Sequence, residues 1–100
     1  MKKKIAIPTQ NGKLSSEITE STLINLFELE NNYVVGAKQE KVGNMAVKNV
    51  FLWLSSQDVN EFYVENISND QKEKLLSLGI SVKTKQELTD NTFFNCFAFC

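Results

Sequence analysis

The feature that most constrains this chain is a strand, a capped helix and a second strand placed in succession between Val59 and Thr84. Val59 to Val64 reads as a strand with Phe62-Tyr63-Val64 at its heart. Ser68-Asn69-Asp70-Gln71 has the spacing of a capping box, in which the Gln71 side chain reaches back to the Ser68 backbone. Ile67 before the cap and Leu75, Leu76 and Leu78 after it supply a buried stripe. Gly79 falls where a helix C-terminus wants a left-handed residue, and Ile80 to Thr84 reads as a short strand. Two strands joined through a helix pair in parallel, and the crossover is right-handed. Parallel strands need cover on both faces, so the rest of the chain has to supply layers around them.

The remaining segments fit that demand. Lys3 to Pro8 reads as a first strand with Ile5 and Ile7 on one face. Pro8 suits a strand end, because it has no donor for the ladder. Gln10 to Ser21 is a polar loop with a turn signal at Asn11-Gly12, room for a short hairpin or a helical turn. Thr22 to Glu30 alternates Leu23, Asn25, Phe27 and Leu29 against Ile24, Leu26 and Glu28, which is strand chemistry with both faces partly apolar. Asn31-Asn32 makes a tight turn into an antiparallel partner, Tyr33 to Val42. Gly43-Asn44 breaks the chain. From Met45 to Leu54 a helix of about three turns follows, capped by Asn44. Its residues are apolar nearly all round, which predicts a buried helix packed on a sheet. A strand beginning near Phe51 fits the same apolar run. A last helix is predicted from near Thr89 or Asp90 toward Cys100. The fold class is therefore α/β, with a mixed sheet of about five strands and helices on its faces.

The chain has 100 residues, the size of a single domain spanning 1–100. Hydrophobic residues at 42% and charged residues at 23% support a packed core and argue against disorder. The net charge of −1 provides no field to steer the protein to nucleic acid or membrane, and Lys2-Lys3-Lys4 is a solvated terminal run. No apolar run approaches the roughly 18 residues of a membrane-spanning helix. Ile5-Ala6-Ile7 is cut short by Pro8, so the start is not a signal peptide, and a cytoplasmic protein is expected. Two cysteines are too few for a disulfide scaffold.

The order of elements resembles the dinitrogenase iron–molybdenum cofactor-binding family in three local features. The first is Lys4-Ile5-Ala6-Ile7-Pro8-Thr9 followed by Asn11-Gly12-Lys13, similar to the family's opening strand and polar turn. The second is the run Ile24 to Asn32, which looks like its second strand entering a hairpin. The third is Phe62-Tyr63-Val64 through Leu75, Leu76, Gly79, Ile80 and Val82, similar to its closing strand–helix–strand unit. Together they cover nearly the whole chain. The resemblance implies a ribonuclease H-like fold and a non-enzymatic protein that holds or carries a metal cluster of iron–sulfur or iron–molybdenum type. The family commonly carries a Ser-x-His-Phe-Gly stretch ahead of its second strand, and its alignment falls on Ser15-Ser16-Glu17-Ile18-Thr19. The histidine position is Glu17, and the chain has no histidine at all. The family's glycines at the start of the last helix are replaced here by Glu65-Asn66-Ile67-Ser68-Asn69.

Four residues stand out as candidate ligands. Cys96 and Cys100 are four apart, a spacing that puts both thiols on one face of a helix. Two thiolates hold part of a metal or cluster site, and a closed site usually wants four ligands, which a dimer would supply. Packed with Phe93, Phe94, Phe97 and Phe99, the same cysteines are small apolar core residues. Glu17 can coordinate a hard cation, or belong to a solvated loop. Ser68 can offer a helix N-terminus to an anion, or cap the helix and nothing more.

Catalysis finds little material. Without histidine there is no Ser-His or Cys-His nucleophile pair. The first strand has no acidic residue from which a two-metal nuclease site would be built. The leading expectation is a cofactor or metal-cluster carrier divergent from the iron–molybdenum cofactor-binding proteins. The alternative is an interaction or regulatory module without cofactor, working as a homo-oligomer or with a protein partner through the aromatic tail or an open sheet edge. A third expectation is a small-anion binder at Ser68.

Overall fold

The computed structural model describes residues 2–15, 18–31, 33–43, 47–65 and 67–90. Its elements are β1 (Lys2–Gln10), β2 (Lys13–Leu14), β3 (Leu23–Glu30), β4 (Tyr33–Lys41), α1 (Val47–Ser56), β5 (Glu61–Tyr63), α2 (Asn69–Ser77), β6 (Ser81–Lys83) and α3 (Lys85–Thr89). The sheet runs β4-β3-β1-β5-β6, with β2 pairing β1 off this path. β3 is antiparallel to both β1 and β4, whereas β1, β5 and β6 are mutually parallel along the sheet. A three-strand antiparallel half joined to a parallel half through a central first strand is the ribonuclease H-like arrangement, and the α/β expectation holds.

β1 is the spine of the sheet. It pairs with β3 along Lys2 to Thr9, and on its other side with β5 at Ile5 and Ala6 and with β2 at Thr9 and Gln10. Period-two alternation then sorts its side chains. Ala6, Leu26 and Phe62 share one face, where Val50, Phe51 and Leu54 of α1 and Leu75 of α2 complete a core. Phe51 and Phe62 meet edge to face with ring centres 6.3 Å apart. Ile5, Ile7, Leu29 and Tyr63 form a second cluster with Leu14 and with Leu88 of α3.

Several local expectations are met by their own physics. Asn11 and Gly12 both have positive φ, 55° and 82°, as a two-residue type I′ hairpin loop demands. They fold β2 back onto β1 and turn the expected polar loop into a small hairpin. Ser68 caps α2 with both halves of the capping box in place, and Gly79 follows the helix at φ 81°.

Others are corrected. Pro8 does not end β1, which continues to Gln10. Its carbonyl accepts the Ser15 N–H at 2.8 Å, on the side of β1 opposite β3. N and C=O of one strand residue point the same way, so the missing donor of Pro8 faces that side and leaves the β3 ladder whole. α1 is amphipathic, not buried all round: Leu54 is fully buried, whereas Leu52 is 49% exposed. A strand at Phe51 is ruled out by the helix. β5 shrinks to Glu61–Tyr63, with Val59 and Val64 buried at its flanks. A helix stands at Lys85–Thr89, where none was expected, with Thr84 and Glu87 forming a second capping box. Asp90 is its C-cap. The tail helix expected toward Cys100, and the Asn44 cap, lie outside the described residues.

Candidate functional site at the carboxyl edge of the parallel strands

In an open α/β sheet, ligands bind beyond the carboxyl ends of the strands where neighbouring strands send their connections in opposite directions. β1 and β5 make such a point here. From β1 the chain passes through β2 to β3 on one side, and from β5 through α2 to β6 on the other. Because β5 and β2 lie on the same side of β1, β5 at Ile5–Ala6 and β2 at Thr9–Gln10, the carboxyl end of β5 is directed at β2 and the segment after it. Two loops therefore share this edge: the one from Ser15 to Thr22 and the one from Val64 to Ser68.

The first loop is held by buried hydroxyls. Thr22 is fully buried, and its Oγ1 accepts the Thr19 N–H at 2.9 Å and the Gln10 side-chain N–H at 3.2 Å. Gln10 Nε2 also donates to Thr19 Oγ1 at 2.6 Å, and the Ser15 and Thr22 hydroxyls lie 3.5 Å apart. The Thr22 N–H closes a turn on the Thr19 carbonyl at 3.1 Å. The Thr22 and Glu20 carbonyls then accept from Val42 and Gly43, which ties the loop to the end of β4. Beneath it, Asn25 on β3 donates to the Ile7 carbonyl and to Thr9 Oγ1, and accepts from Gln39 on β4. Among the described residues no buried side-chain nitrogen or oxygen lacks a partner. This network is spent on order. It holds Gln10, Ser15, Thr19 and Thr22 in one hydrogen-bonded group.

The second loop starts α2. Ser68 Oγ accepts the Gln71 N–H at 3.2 Å while the Ser68 N–H donates to Gln71 Oε1 at 3.4 Å. Its hydroxyl oxygen thus caps the helix. Glu65, within this loop, pairs with Lys85 at 4.0 Å. A negative ligand at the α2 N-terminus would meet Glu65 and Asp70.

Of the candidate ligands, Ser68 is at this edge, and Glu17, Cys96 and Cys100 lie outside the described residues. Among the described residues no three His, Cys, Asp or Glu side chains are grouped to hold a metal ion. No helix among them is long and apolar enough to cross a membrane. The residues that reading the sequence passed over are Gln10, Thr19, Thr22 and Asn25. The density of hydroxyls between Ser15 and Thr22 and the one Asn in the apolar alternation of β3 were the available signals. A separate concavity of about 230 Å³ lies at the opposite edge, where Lys4 and Lys38 both donate to Gln57 at 3.0 Å beside Glu28.

No family model matches the sequence, and no curated protein matches it. Solved structures do. The chain superposes on the crystal structure of a protein named PH0822 with a TM-score of 0.71 and 21% identity, covering 82% of this chain and 78% of that one. It superposes on a "putative dinitrogenase" from Methanocaldococcus jannaschii with a TM-score of 0.65 and 20% identity, covering 84% and 76%. At these identities the likeness is one of fold, and at that level it agrees with the family resemblance drawn from the sequence.

Proposed function

We propose that this domain is a non-enzymatic carrier that takes a metal cluster or related cofactor of iron–sulfur or iron–molybdenum type as cargo. The observation that carries the reading is the fold it shares, over most of both chains, with the structure named a dinitrogenase. The edge where the β1 and β5 connections diverge is the natural berth, because the loop bearing Glu17 and the loop bearing Ser68 both end there. The described residues do not themselves make up a ligand set, and the chain has no histidine. The reading therefore rests the metal on the thiols of Cys96 and Cys100, with Glu17 as an oxygen ligand. Few ligands suit cargo that must be handed on, since a closed four-ligand site holds its metal. The reading places the protein in the cytoplasm, where thiols stay reduced and free to bind.

Purification without oxygen, followed by iron and molybdenum analysis and visible absorbance, tests it. Wild-type protein should carry metal, or take up a supplied cluster, near one equivalent per chain or per pair of chains. Cys96→Ser/Cys100→Ser should abolish this, and Glu17→Gln should weaken it. Metal-free protein that also refuses a supplied cluster would overturn the proposal.

A further inference from the structure

The two edges of the sheet are unequal. Among the described residues β6 ends one side with three residues, and its Lys83 is engaged with Glu61 and Glu87 at 3.7 and 3.6 Å. Short edges with committed charges resist pairing with another strand. β4 ends the other side with nine residues, all exposed except Gly36, and among the described residues no strand pairs its outer side. Tyr33, Val34 and Val35 open it at 73%, 45% and 56% exposure. A register shift opposite Glu28 and Leu29 leaves Val35 as an extra residue, so the regular part of the strand is Gly36 to Lys41.

Lysines on an edge strand ordinarily repel a second copy. Here Lys38 is followed two residues later by Glu40, on the same face of the sheet, opposite Leu26 and Ile24 of β3. In a two-fold antiparallel pair of strands one residue lies opposite its own copy. Centring on Lys38 sets lysine against lysine, and centring on Glu40 sets glutamate against glutamate. Centring on Ala37 leaves the charges opposite Gly36 and Val34 and runs into the Val35 irregularity. Centring on Gln39 sets each Lys38 against the other copy's Glu40, twice, with both neighbours on the regular stretch. Lys38 has donors to spare for this: its ammonium makes one hydrogen bond, to Gln57 Oε1 at 3.0 Å, and lies 5.9 Å from the centre of the Trp53 ring.

From this self-complementarity we infer that β4 is a homodimer edge: two copies of this chain join their sheets antiparallel through residues 37–41, in the register centred on Gln39. The ladder is short, so the pair is weak and depends on concentration. The inference is independent of cargo binding and is tested on protein without metal.

Sedimentation equilibrium from micromolar to about 1 mM, the range in which weak association is measurable, is the experiment. Wild type should show a monomer–dimer equilibrium. Lys38→Glu and Glu40→Lys each replace two attractions with two repulsions and should weaken it about tenfold or more, since cross-strand charge pairs contribute a few tenths to one kcal/mol each. Lys38→Glu/Glu40→Lys should restore it. An equimolar mixture of the two single variants should associate more tightly than either alone, because each then presents the charge that the other lacks. Both positions are exposed, and matching melting temperatures would show that folding is intact. A strictly monomeric wild type, or a dimer indifferent to the charge exchange, would overturn the inference.

Discussion

Asn25 on β3 donates its side-chain amide to the Thr9 hydroxyl on β1 at 2.9 Å, and through this contact two buried polar side chains of neighbouring strands satisfy each other. The same nitrogen reaches the Ile7 carbonyl at 3.0 Å, and the Asn25 oxygen accepts from Gln39 on β4 at 2.9 Å. One residue thus ties three adjacent strands. Asn25→Ala removes both ends of the bridge and leaves the Thr9 hydroxyl without its amide donor in a buried place. The expected loss is about 1–3 kcal/mol, measured by urea denaturation, because stranding a buried polar group costs its desolvation. Thr9→Val/Asn25→Ala should lose less than the sum of the two single changes, since partners in one network couple.

Thr22 plays the corresponding part for the loop above. Thr22→Val keeps the shape and deletes the oxygen that receives the Thr19 and Gln10 donors. Stability should fall by about 1–2 kcal/mol. The local effect is the more telling one: the Thr19 amide should lose protection from hydrogen exchange well before the amides of β1. A cargo site formed by this loop should weaken in parallel, so metal uptake by Thr22→Val gives a second reading.

How much of this was legible in the sequence depends on the range over which each feature acts. The Asn11-Gly12 hairpin and the Ser68 cap were readable because they are complete within four residues. α3 was not read, although Thr84 and Glu87 have the same spacing, because its five residues offer one buried apolar side chain, Leu88, and no periodic stripe. Pro8 suggested a strand end because a one-dimensional reading cannot know which side of the strand its nitrogen faces. The hydroxyl–amide network was invisible for a related reason. Asn25 finds Ile7, Thr9 and Gln39, which are 14 to 18 residues away, and only the sheet register brings them together. Of the four candidate ligands, Ser68 is the one among the described residues, and its hydroxyl oxygen caps α2.

That last point is testable at Ser68 itself. Ser68→Ala removes the acceptor for the Gln71 N–H and should cost about 1 kcal/mol in thermal or urea unfolding. Ser68→Asp supplies another good capping oxygen and a charge that suits a helix N-terminus, so stability should return to the wild-type value. An anion-binding role would respond in the opposite sense, because Asp would repel the anion. Phosphate that raises the melting temperature of wild type but not of Ser68→Asp would assign Ser68 a ligand; equal melting curves with and without phosphate in both would leave it a cap.

Among the described residues, α3 contributes one side chain to the cluster on the second face of the sheet. Leu88 is fully buried and packs with Ile5, Ile7, Leu14, Leu29 and Tyr63. α3 has five residues, too few to be helical alone, so this contact and the Thr84 cap hold it in place. Leu88→Ala should cost about 2–5 kcal/mol through lost transfer energy and the cavity left behind. Thr84→Ala should cost about 1 kcal/mol. Because α3 is five residues long with one buried side chain, the loss should not spread evenly: hydrogen exchange should accelerate first at Leu88 and Asp90, whose amides bond to Thr84 and Gln86, and last at Ala6 and Phe62 on the opposite core. Uniform acceleration across both cores would show instead that α3 unfolds only with the whole domain, and that the second face is part of one cooperative unit.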